Sequence, residues 1–199
     1  MQSVQLETPK GISARLGWDP KMSEHDRKRA LAKELVAARL GIEEREITVG
    51  REHPTIFGMR TELFAEVDGV TVPVEIRNVN YRAATVVAVA EPEFVFGLDL
   101  RDSHPDDVSV HEMQRHSHIF DEENIPKLLE HWTRVCAIRE ADGRKNLIRG
   151  DSVKLDASLA KGWMPDRKLR YSLVDLSREG WIITLAWAPK PEDWAPATE

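Results

Sequence analysis

One arrangement limits what this chain can fold into more than any other: a capped amphipathic helix followed by β-branched strands, written twice. Ser23 before Glu24 reads as an N-cap, Leu31, Leu35 and Ala38 recur at helical spacing, and Gly41 stops the run. That pattern predicts a helix over Glu24 to Leu40. After it, Glu46 to Val49, Thr61 to Val67, Val70 to Val79 and Ala84 to Ala90 carry β-branched enrichment, with Asp68-Gly69 as a hairpin signal. The order then returns. Asp121-Glu122-Glu123 precedes a stretch in which Leu128, Trp132 and Val135 share a face, with Leu129 and Cys136 beside it, closed by Gly143. Ser152 to Leu155, Leu169 to Leu176 and Trp181 to Trp187 follow as strands. Val74 to Tyr81 runs against Tyr171 to Arg178 without gaps, and Val86 to Ala90 against Ile183 to Trp187. The expected fold is therefore α+β, in two pseudo-symmetric halves, each a long helix packed on a small antiparallel sheet. The halves divide at Glu91-Pro92-Glu93 into 1–92 and 93–199, with a flexible tail from about Pro189.

Composition narrows the function classes. A length of 199 residues with 41% hydrophobic content and six Trp allows a buried core and excludes a disordered chain. No apolar run reaches the length of a membrane span, and Met1 to Glu7 lacks the basic start and apolar centre of a signal peptide, so a soluble cytoplasmic protein with no membrane partner is expected. The 28 basic residues against 34 acidic ones give a net charge of -6, which argues against a nucleic-acid binder. Acids crowd the region from Glu91 to Glu123, whereas Arg134, Arg139, Arg144, Lys145 and Arg149 make the next segment basic and suited to an acidic partner. The single cysteine, Cys136, excludes an intramolecular disulfide. Oligomeric state is not legible.

Several residues could carry chemistry. Asp99 in Gly97-Leu98-Asp99-Leu100 is an acid at a strand end, either a functional group or a cap on the following loop. Cys136 and His131 are five apart, so they share a helix face poorly, and a buried thiol is the plainer reading. His104, His111, His116 and His118, with Asp106, Asp107 and Glu112, offer either a transition-metal site or a solvated loop and helix face. Trp163, Trp181 and Trp187 read as core or hairpin packing, and there is no Gly-rich phosphate loop.

Three segments in this order resemble the surfactin-synthetase-type 4'-phosphopantetheinyl transferases, of the holo-acyl-carrier-protein synthase-like superfamily. Asn78-Val79-Asn80-Tyr81-Arg82 is similar to the family's Asn-x-Ser-His-Ser, and Gly97 to Arg101 to its Gly-[Ile/Val]-Asp-[Ile/Leu]-Glu. Trp132 to Gly143 is similar to its Trp-[Ser/Thr]-x-Lys-Glu-[Ala/Ser]-x-x-Lys closed by Gly. The resemblance implies transfer of the phosphopantetheine arm of coenzyme A to a serine of an acyl or peptidyl carrier protein. It implies that Asp99 holds the metal and that Tyr81 and Arg82 lie at the phosphate-contacting segment. Arg51-Glu52-His53-Pro54 stands where the family has a Gly-Lys-Pro phosphate contact, so Arg51 or His53 is either a phosphate contact or part of a turn. Arg101 could meet the pyrophosphate directly, since an arginine fork matches phosphate oxygens. Departures from the pattern are part of the reading. Arg101 stands for the second acid, Cys136 for the helix Glu, Val135 for its Lys, Glu140 for the later Lys, and Tyr81 for the His. With one acid of three remaining, Mg²⁺ is expected to bind weakly or not at all. Three functions follow: a transferase of altered metal motif, a catalytically impaired homologue that binds a carrier protein or a nucleotide, or a protein whose only role is assembly with a partner.

Overall fold

In the computed structural model the described residues are 1–51, 63–115, 124–143 and 149–194. They form an α+β protein with three helices and two antiparallel sheets, divided into the compact units Met1–Pro92 and Glu93–Glu199. No helix among them is long and apolar enough to cross a membrane.

The first unit contains β1 (Gln2–Leu6), β2 (Ile12–Trp18), α1 (Glu24–Leu40), β3 (Ile47–Arg51), β4 (Leu63–Val67), β5 (Val70–Thr71), β6 (Glu75–Tyr81) and β7 (Ala84–Ala90). Helix α1 begins where Ser23 accepts a hydrogen bond from the Asp26 amide at 3.1 Å. It ends where Gly41, at φ 69°, turns into the left-handed region and donates its amide to Ala37 O at 2.8 Å. Leu31, Leu35 and Val36 of α1 meet Ile47, Val49, Leu63, Ala65, Val87 and Val89 in one core. The sheet order is β1-β2-β7-β6-β4-β3, with β5 paired to β4. Asp68 (φ 51°) and Gly69 (φ 77°) form the two-residue turn between β4 and β5 that the sequence signalled.

The second unit contains β8 (Phe94–Asp102), α2 (Asp107–Gln114), α3 (Ile125–Asp142), β9 (Lys154–Leu155), β10 (Lys161–Trp163), β11 (Arg170–Asp175) and β12 (Trp181–Pro189), in the sheet order β8-β12-β11-β10-β9. Asn124 caps α3 through Lys127 N at 3.3 Å, and Gly143 at φ 88° ends it. Leu128, Leu129, Trp132, Val135 and Ile138 of α3 bury against Val95, Tyr171, Ala186 and Ala188.

Each unit runs strand, helix, then a meander whose last strand returns beside the first: β2-α1-β3-β4-β6-β7 in one, β8-α3-β9-β10-β11-β12 in the other. Arg77 faces Ala88 in the first hairpin, and Val174 faces Leu185 in the second. Those are the pairs that the gap-free sequence comparison matched.

The hairpin β1–β2 precedes α1, in a stretch for which no element was predicted. Two expectations need correction. The run Val70 to Val79 is two strands, because Pro73 has no N–H for a ladder. The segment after Pro189 is anchored in part: Lys190 N donates to Glu93 O, and Trp194 packs against the second core under Arg167, whose Cζ lies 4.6 Å from the ring centroid.

Candidate functional site

Asp99 is not at a strand end. Strand β8 continues through Asp102, which pairs with Trp181, while Asp99 pairs with Thr184 inside the ladder. The loop-capping acid is Asp102 instead, whose Oδ1 accepts from His104 N at 2.8 Å.

Alternation along β8 puts Gly97, Asp99 and Arg101 on one face. This face meets α3. A Cβ at Gly97 would stand 2.2 Å from Ala141 N and 2.5 Å from Ala137 O, so only glycine lets the helix lie so close. Asp99 is then 8% exposed, between strand and helix. A buried carboxylate needs donors or a counter-charge, and Arg101 supplies both. Its Nε donates to Asp99 Oδ2 at 2.8 Å and its Nη2 to Oδ1 at 3.4 Å. The same Nη2 lies 3.6 Å from Cys136 Sγ on α3, so one guanidinium joins strand to helix.

Thr184, the ladder partner of Asp99, continues this polar seam by donating to Thr133 Oγ1 at 3.1 Å, and Thr133 donates to Glu130 O. Burial opposes the charge on Arg101, but Asp99, the Cys136 sulfur and Glu112 of α2 outweigh it, so its pKa stands above the usual arginine value. Burial pushes the Cys136 thiol up to about 12, with Asp99 adding to the rise and Arg101 and Arg139 opposing it. Cys136 is thus a neutral thiol at physiological pH, unsuited to act as a nucleophile.

These donors do not fit Mg²⁺. A hard divalent ion needs oxygen ligands, whereas Asp99 already accepts from Arg101, position 101 carries a cation and position 136 a neutral thiol. Among the described residues no three His, Cys, Asp or Glu side chains are grouped to hold a metal ion, and of the His-dense region His116 and His118 lie outside those residues.

The other expected contacts belong to the first unit. Tyr81 ends β6 and Arg82 opens the turn to β7 at φ 52°, its Cζ 5.3 Å from the Tyr81 ring centroid. Arg51 is the last residue of β3, and His53 lies outside the described residues. The structure therefore brings together Asp99, Arg101 and Cys136 on one hand, and Tyr81 and Arg82 on the other.

Arg27 was missed by sequence reasoning. This α1 arginine is 4% exposed and donates to Thr85 Oγ1 at 3.1 Å, Asp19 O at 3.1 Å, Arg82 O at 2.8 Å and Met22 O. A cation on an amphipathic helix reads as solvated, and only the fold turns this one inward.

An open cavity of about 620 Å³ lies in the first unit between Arg15 of β2 and the C-terminal part of α1, lined also by Glu34, Ala38 and Ile42. Within it Arg15 pairs with Glu34 at 2.9 Å and Arg45 with Glu43 at 2.8 Å.

No model of a known protein family matches the chain, and no curated protein matches it.

Proposed function

We propose that this chain is a 4'-phosphopantetheinyl-transferase-like protein that has given up transfer and acts as a binding module for an acyl or peptidyl carrier protein. One observation carries the reading: the aspartate that the resembled enzymes use for metal is held here in a two-bond fork by an arginine of the same strand face. Transfer from coenzyme A needs a Lewis acid on the pyrophosphate and a base for the serine. Neither Arg101 nor the neutral Cys136 thiol supplies one.

Support for a shared ancestry of fold comes from the recurring strand order and the matched hairpin register, which we read as two copies of one α+β unit. In the sequence, the basic run Arg139, Arg144, Lys145 and Arg149 supplies charge of the sign that an acidic carrier protein would match, in a cytoplasmic setting. Arg144 and Lys145 lie outside the described residues, and Arg134, expected with them, is buried on α3 and pairs with Glu130. Coenzyme A and Mg²⁺ are not required in this reading, and Tyr81, Arg82, Arg51 and His53 have no phosphate to grip unless a nucleotide is the true ligand.

The test is fluorescence anisotropy with labelled apo carrier proteins. Micromolar binding that weakens as salt is raised is expected. No binding to any carrier would overturn the proposal, and binding of a nucleotide alone would move it to the nucleotide module.

A further inference from the structure

The residues at the expected metal position already contain a cation. We propose that the Arg101 guanidinium is a tethered replacement for a divalent ion, permanently neutralising Asp99 and excluding metal from the space between β8 and α3. This inference rests on reading the chain as transferase-like, but it concerns the metal position and not the carrier protein.

The geometry is specific. Gly97, Asp99 and Arg101 share the face of β8 that the backbone of α3 touches, and Cys136 faces them from α3. Within this seam the guanidinium makes contacts in two directions, a fork on the Asp99 carboxylate at 2.8 and 3.4 Å and a bond to Cys136 Sγ at 3.6 Å. A cation lying between an acid on the strand and a side chain on the helix is what a bridging metal would provide. Arginine provides it without dissociating, because a planar fork matches a carboxylate and keeps its proton at any physiological pH. Only 24% of the Arg101 side chain is exposed, so the charge stays with the seam rather than in solvent. Substitution of the two neighbouring positions tests the idea directly: Arg101→Glu removes the cation and supplies an oxygen ligand, and Cys136→Glu supplies another.

The probe is Mn²⁺, a hard oxygen-preferring ion whose free concentration is read by electron paramagnetic resonance. The wild-type chain is expected to bind it no tighter than millimolar. R101E/C136E should bind at least tenfold tighter than wild type, and adding D99N to that variant should abolish the gain. R101Q, which removes the cation without adding an acid, should bind at least threefold tighter and carries the test if circular dichroism shows the double variant unfolded. Micromolar binding by the wild-type chain that D99N removes would overturn the inference. So would folded R101E/C136E, or R101Q in its place, binding no tighter than wild type. Carrier-protein binding is scored in a separate titration, so failure of the proposed function leaves these metal results interpretable.

Discussion

Gly97 of β8 lies so close to Ala141 of α3 that a single added methyl group would fall 2.2 Å from the Ala141 backbone nitrogen. The obstacle is backbone, and a helix cannot yield locally as a side-chain tip can. Gly97→Ala is therefore expected to cost about 3 kcal/mol or more, through displacement of α3 from the sheet. Chemical denaturation measures it. A loss below about 1 kcal/mol would show that the helix can shift freely on β8.

Arg27 holds the β6–β7 turn from beneath, where Arg82 adopts a left-handed conformation that β-carbon sterics disfavour by about 1 kcal/mol. Arg27→Ala strips donors from three carbonyls and the Thr85 hydroxyl, so a loss of roughly 3 kcal/mol is expected. Arg27→Lys should recover part of it, since an ammonium reaches fewer of the acceptors. Equal losses for the two variants would show that side-chain volume, not hydrogen bonding, anchors the turn.

The Cys136 thiol gives a pH dependence of definite sign. Its pKa rises from 9.0 in the ordinary case to about 12 in the folded chain. The folded state keeps a proton that the unfolded chain releases, so the contribution is complete below pH 9 and is lost as pH climbs toward 12. Cys136→Ala should flatten the alkaline side of the stability profile. Cys136 is only partly buried, so slow reaction with thiol reagents at pH 8 is expected from its protonation rather than from occlusion, and fast stoichiometric labelling without unfolding would contradict the neutral thiol.

How much of this was legible differs from element to element. Helix α1 was readable from Ser23 to Gly41 because both ends carry side-chain or glycine signals that act locally. The β1–β2 hairpin was overlooked even though Ile12, Ala14 and Leu16 alternate inward, because the segment is short and mixed with Arg15 and Gly17. Asp99 and Arg101 were both singled out, but the first was given to a metal and the second to a phosphate. Their attraction to one another depends on how deeply α3 buries Asp99, a tertiary quantity that spacing alone does not reveal. The inward turn of Arg27 has the same origin: its acceptors come from two separate segments of chain, Asp19 to Met22 and Arg82 to Thr85.

In the proposed function the ion pair between Arg101 and Asp99 stands in place of a metal, and transfer chemistry is lost with it. The most direct test of that loss mixes the purified chain with coenzyme A, Mg²⁺ and a panel of apo carrier proteins, and reads the intact mass of each carrier. Every carrier is predicted to keep its apo mass while an active transferase run in parallel converts it. Gain of the phosphopantetheine arm by any carrier, dependent on this chain, would contradict the account.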